Sequence, residues 1–467
     1  MDGALLKAAN VLRQRLMPNV ILICRDPAHI IRTTVSEPWI RTSVFKDLHT
    51  NLFSGKHAML KDVQHSEVLQ ARLLACQADV VAENGSQGGG MVSLLKHFSW
   101  APHRWESFAQ PRRQYCCMLA AMFKCLGGIA GDWRNTKCVR DRAERYMSMM
   151  SGTHGLEIGI SGDYSEFCLR FLREWDTPDR DPATARRVLE DFRREVSILF
   201  IQGYILCEPG ENDPIAACAA SPGRTARGPR TMTQTVTHQL LEGVSVSVNG
   251  HEKRLWGSTR KDDVLSVMAE VKVAVDAMLD RLRAEFTENA LYLCFEVFDL
   301  HLWEAVLKAR GRLEEPNPGN AIIIEQFGSL QRSGRRLFNA VGIEWKTQSF
   351  VSAVKAALAC APSVSPTVDK RLRNRIIWAE ALATAQGPDP SARALAVEWA
   401  APVLRFYFAF RDGTGDVERT LGRIKLSPRG TLGRPHPAAR DRTPRLLTTP
   451  QRFVWKSGWA AQRWRVR

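Results

Sequence analysis

From Val264 to Phe286 the chain places Val264, Met268, Val271, Val275, Met278, Leu282 and Phe286 three or four positions apart, with Asp262 and Asp263 just ahead of the first. A period of 3.6 residues lines all seven along one stripe, and the paired acids suit the positive end of a helix. The segment therefore reads as one long amphipathic helix. Ala183 to Cys207, Phe350 to Ala361 and Ser391 to Phe410 also suit helices. With 467 residues, 45% of them hydrophobic, a chain so patterned has apolar material for two or three packed domains. Strand patterns are rarer. Asn19 to Cys24 is short, wholly apolar and ended by Arg25-Asp26-Pro27. With a helix over Leu5 to Leu16 feeding it, this run predicts an α/β layer at the N-terminus. Val244 to Val248 alternates strictly, Asn249-Gly250 supplies a two-residue turn that tolerates positive φ, and His251 to Trp256 can return as a partner strand. That pattern predicts a hairpin over 244–256.

No stretch approaches eighteen consecutive apolar residues, and Met1-Asp2-Gly3 begins no basic-then-apolar leader, so a soluble intracellular protein without a membrane partner is expected. The eleven cysteines include no Cys-x-x-Cys pair. Neither a disulfide framework nor a zinc finger fits them, and their apolar neighbours mark them as small buried hydrophobes in a reducing compartment. The formal charge of +16 is unevenly spread. Ser427 to Arg467 holds nine Arg and one Lys against Asp441 alone, a net +9, which leaves +7 for the preceding 426 residues. That segment is also broken by Pro428, Pro435, Pro437, Pro444 and Pro450, and reads as a disordered basic tail. Near its end Trp455, Trp459 and Trp464 alternate with Lys456, Arg463, Arg465 and Arg467, a composition suited to stacking on bases while pairing with phosphates. A second composition break, Glu208 to Arg230 with Pro209-Gly210, Pro222-Gly223 and Gly228-Pro229, reads as a linker.

Several familiar chemistries are absent from the sequence. His49, His57 and His65 recur every eight residues, but eight helical residues turn through about 800°, so the rings drift apart and cannot converge on one ion. Gly85-Ser86-Gln87-Gly88-Gly89-Gly90 is followed by Met91-Val92 instead of Lys-Ser/Thr, which makes it a loop and not a phosphate cradle. Neither Gly-x-Ser-x-Gly nor His-Glu-x-x-His occurs.

Three separated blocks remain. They are Asp2-Gly3-Ala4 with Cys24-Arg25-Asp26-Pro27-Ala28-His29, then Arg104-Trp105, then Val417-Glu418-Arg419-Thr420-Leu421-Gly422. Their order resembles that of the hAT superfamily of cut-and-paste DNA transposases, whose RNase H-like catalytic domain is interrupted by a large helical insertion. The resemblance spans roughly residues 1 to 426. It implies that Asp2 and Glu418 are the second and third catalytic carboxylates, with Asp26 a further candidate ligand for Mg²⁺ or Mn²⁺. It also implies that His29, Arg104 and Trp105 face DNA near the cut. Hard carboxylate oxygens are what two such ions need to activate a hydroxyl and stabilise the leaving oxygen of a phosphodiester. Asp26 stands where the family's motif has cysteine, and Leu421-Gly422 stands where it has Phe-Ser. The family's first aspartate belongs on an earlier strand and has no counterpart here, so a divalent-metal-dependent transposase activity is expected to be lost.

The resulting expectation is an incomplete RNase H-like core with a mainly α-helical insertion. Residues 1–150 would hold the N-terminal part of the core and the start of the insertion, 151–385 the insertion, 386–426 the return to the core, and 427–467 the tail. The expected function is DNA binding by a transposase-derived protein in the nucleus or nucleocytoplasm, with homo-oligomerisation open. The alternatives are a non-catalytic nucleic-acid-binding or dimerising protein, and a degenerate element without a cellular role.

Overall fold

Apolar periods of three and four residues become helices in the computed structural model, which describes residues 27–84, 109–149, 153–175, 180–207, 212–220, 231–242, 244–248, 251–255, 261–288, 290–310, 318–365, 367, 372–387 and 392–409. The first helices are α1 (Pro27–Arg41), α2 (Ser43–His49, continued by a π-helical turn to Ser54), α3 (Met59–His65) and α4 (Glu67–Asn84). After them come α5 (Ala109–Cys117), α6 (Leu119–Gly131), α7 (Lys137–Met149) and the long α8 (Thr153–Trp175). A 3-10 turn at Pro182–Thr184 leads into α9 (Ala185–Val196), which relaxes into a π-helical turn over Ser197–Ile201. Then follow α10 (Pro214–Ala220), α11 (Met232–Glu242), the strands β1 (Val244–Val248) and β2 (His251–Leu255), and α12 (Lys261–Glu288). The last group is α13 (Ala290–Leu293), a 3-10 turn at Cys294–Phe298, α14 (Leu300–Arg310), α15 (Pro318–Ala340), α16 (Thr347–Cys360), α17 (Arg373–Ala385) and α18 (Ala392–Ala409).

All seven stripe residues of α12 are buried, and Asp262 and Asp263 occupy its first turn. β1 and β2 pair antiparallel with Val248 opposite His251 and Val244 opposite Leu255, the register expected of strands separated by two residues. The helix expected over Ala183 to Cys207 is shorter, because Gly203 adopts φ +85°, where a Cβ would meet Ile215 at 2.4 Å. Inside the 208–230 composition break lies α10, opened by Asp213 accepting from the Ala216 amide at 3.1 Å and burying Cys218 and Ala219. The Leu5 to Leu16 helix, the Asn19 to Cys24 strand, the Gly85 to Gly90 loop and the 427–467 tail lie outside the described residues.

The described chain forms two compact units, each assembled from separated segments. The first takes 27–46, 167–202 and 269–409. At its centre Phe295, Val297 and Phe298 of the Cys294–Phe298 turn are fully buried. Phe298 stacks on Tyr407 at 4.7 Å and meets Phe350 and Trp378. The carbonyls of Val297 and Phe298 accept from the indoles of Trp303 at 2.7 Å and Trp378 at 2.9 Å. A second aromatic group, Phe171 stacked on Phe192 at 3.8 Å with Trp175 and Phe286 beside it, closes the other part of this core.

The second unit takes the described parts of 47–166 and 203–268. Its core is α6, apolar nearly all round, on which α4, α7 and β1 pack. Close approach between α8 and α11 depends on Gly159, where an added Cβ would sit 2.6 Å from Thr233 Cα. Among the described residues no single helix is long and apolar enough to cross a membrane.

Candidate functional site

Of the residues singled out by the sequence, Asp2, Asp26, Arg104, Trp105, Glu418, Trp455, Trp459 and Trp464 lie outside the described residues. His29 falls in the first turn of α1, so the Asp26-Pro27-Ala28-His29 block leads into a helix, with Pro27 at its opening position. Candidates for chemistry among the described residues are therefore ones that the sequence did not single out.

The first unit encloses three acids. Glu296 pairs with Arg186 at 2.8 Å and accepts from Ser329 and Ser333. Asp299 pairs with Arg187 at 2.9 Å and accepts from the His301 amide at 3.0 Å, which fixes the start of α14. Asp181 accepts from Tyr407 at 2.6 Å and from the Ala183 amide at 3.0 Å. Burial raises the pKa of Asp181 and Glu296 against these stabilising contacts. Each acid ties a helix or 3-10 turn to a distant element, and the Arg180 guanidinium carbon lies 3.4 Å from the Trp175 ring centre. The arrangement is a scaffold of buried ion pairs and caps, in which Asp181 Oδ2 and the Arg180 Nη1 and Nη2 atoms are buried without a hydrogen-bond partner among the described residues.

The second unit has a comparable seam. Met232 and Thr233 donate their amides to Asp163 at 3.0 and 2.8 Å, and the Thr233 hydroxyl adds a third bond at 2.6 Å. Thr231 and Gln234 complete the α11 N-terminus as a reciprocal capping box at 3.0 and 3.4 Å. Even with three donors, full burial pushes the Asp163 carboxyl up to about 6. Nearby, Arg112 donates to Ser165, lies over the Phe53 ring and reaches His49 Nδ1 at 3.5 Å. Burial, helped by that guanidinium, lowers the His49 pKa to about 4, so the ring is neutral and presents a lone pair to Arg112. His57 and His65 sit elsewhere on exposed surface. Among the described residues no three His, Cys, Asp or Glu side chains are grouped to hold a metal ion.

One exposed feature is built differently. Between α6 and α7 the chain turns through Asp132-Trp133-Arg134-Asn135, closed by the Asn135 amide donating to the Asp132 carbonyl at 3.0 Å. The Asp132 carboxylate accepts from the Arg134 amide at 3.0 Å and from its guanidinium at 2.9 and 3.0 Å, with Arg72 of α4 at 3.6 Å. Those contacts hold the Asp132 pKa down at about 2. Asn135 donates to the Ile129 carbonyl at 2.9 Å, satisfying the frayed end of α6. Trp133, at the second position of the turn, is 75% exposed. Compared with protein-family models, with curated proteins and with solved structures, the chain finds no match in any of the three.

Proposed function

We propose that the protein is a nucleic-acid-binding protein of hAT transposase descent, with an RNase H-like core interrupted by the helical body. The observation that carries this reading is the order of the Asp2 to His29, Arg104-Trp105 and Val417-Glu418-Arg419 blocks around a described body that is helical almost throughout. In it, Asp2, Asp26 and Glu418 are the carboxylates that would hold Mg²⁺ or Mn²⁺, while His29, Arg104 and Trp105 face DNA. Binding, not strand cleavage, is the activity assigned, and the basic segment from Ser427 to Arg467 supplies most of its electrostatic attraction.

The test is a mobility-shift titration of the full chain on 30-nucleotide single-stranded and duplex DNA between 50 and 200 mM salt, with a parallel incubation in Mg²⁺ or Mn²⁺. Binding that weakens steeply with salt, with the DNA left intact, supports the reading. Absence of binding at 50 mM salt overturns it. Divalent-dependent cleavage lost in Glu418→Ala would replace the binding assignment with a catalytic one.

A further inference from the structure

The Asp132–Asn135 turn displays a tryptophan that the fold does not use. Every polar contact closing the turn is made by Asp132, Arg134 or Asn135, so its shape survives without an indole at position 133. Tryptophan ordinarily brings its large apolar area into a core, yet here the ring is held out at the tip of a hydrogen-bonded turn. The surroundings are basic. Arg72 and Arg134 flank the turn, and Lys137 and Arg140 follow on the first turn of α7, one helical step apart. Across 132–141, Arg134, Lys137 and Arg140 stand against Asp132 and Asp141, and with Arg72 the net charge is +2. Asp132 is shared by Arg72 and Arg134, whereas Lys137 and Arg140 make no ion pair among the described residues.

Resting on the nucleic-acid-binding reading, we infer that this turn is a docking surface for single-stranded DNA, with Trp133 stacking on an unpaired base and Lys137 and Arg140 meeting the flanking phosphates. An indole presented on an exposed, hydrogen-bonded turn can lie flat on a base whose face is open. In a duplex both faces of each base are covered by neighbours, so the same ring has little to stack on. The occupant is thus a single strand in preference to a double one. Val68 and Val139 add exposed apolar surface in this unit, and a second copy of the chain is the competing occupant.

Fluorescence anisotropy of a labelled 20-nucleotide oligo(dT) and of a 20-base-pair duplex, titrated with the full chain, separates these outcomes. Trp133→Ala should weaken the single-strand complex about tenfold or more and change duplex affinity less than twofold, Trp133→Phe should restore most of the loss, and Lys137→Ala should lower the salt dependence on single strands by about one phosphate. Because Trp133 is exposed, its thermal midpoint should match the parent's. If the parent binds and Trp133→Ala binds oligo(dT) equally well, the surface is wrong and the general reading stands. If the parent binds neither DNA, both fall. A Trp133→Ala chain that changes only its sedimentation, from dimer to monomer, assigns the turn to a second copy and overturns the proposal.

Discussion

In the second unit half-buried His49 and buried Asp163 respond to acid in opposite directions. The His49 pKa is lowered to about 4. Between pH 6.5 and 4 an unfolded chain therefore takes up a proton that the folded one refuses, and stability is lost as pH falls. The Asp163 carboxyl is raised to about 6. Across pH 6 to 4 the folded chain is the one that takes up the proton, so stability is gained. Each effect is on the order of 3 kcal/mol. In urea melts at a series of pH values, the stability difference between parent and His49→Gln should fall from pH 7 to 4, and that between parent and Asp163→Asn should rise. Slopes of the same sign in the two differences would contradict the assignment. Glycines give a second pair. Gly159→Ala drives a Cβ to 2.6 Å from backbone that cannot step aside and should destabilise by about 1–3 kcal/mol. Gly128→Ala, with nothing within 4 Å, should stabilise α6 by up to about 1 kcal/mol.

Helices were legible where one face alone is buried, as in α12, because burial then imposes a period on the sequence. The Cys294–Phe298 turn was not legible. It is buried on all sides, so Cys-Phe-Glu-Val-Phe carries no period, and its buried Glu296 becomes intelligible only beside Arg186, Ser329 and Ser333 from distant segments. The α10 helix is hidden for another reason, since the Pro-Gly pairs around it outweigh the Asp213-Pro214 cap-and-start signal. Trp378→Phe should cost more than its lost volume, adding about 1–3 kcal/mol for a buried Phe298 carbonyl left without its donor. Trp378→His, which keeps an N–H in the ring, tests whether the bond or the ring matters, through the depth of the loss in thermal melts. In α18, Pro402 lies on the exposed side of an otherwise continuous helix. Pro402→Ala restores one backbone donor and should raise the thermal midpoint, whereas a drop would mean that neighbouring helices pack against the shape proline imposes.

At the scale of the whole molecule, charge is the property the sequence states most clearly, with +9 of the +16 gathered in its last forty-one residues. Truncation after Lys425 should therefore flatten the salt dependence of DNA binding by several logarithmic units per tenfold change in salt, read from titrations at 50, 100 and 200 mM. A residual single-strand preference after truncation would come from the Trp133 turn. Sequence patterns pointed to tryptophans interleaved with basic residues at 455–464. Trp133 escaped notice because its neighbours, Asp132 and Arg134, cancel in a charge count, and only the folded turn shows them engaged with each other and the indole left outside. The segmented make-up of the two units carries a further consequence, one of timing. Residues 27–46 belong with 167–202 and 269–409, and the second unit's 47–166 and 203–268 are synthesised in between. At roughly 5–20 residues per second the first segment waits about 6–24 s before the next segment of its unit begins to emerge, with Ile30, Ile31, Val35 and Trp39 all destined for the core. A nascent chain with that schedule should refold in higher yield with a chaperone that shields its beginning, which a refolding assay with and without one would read.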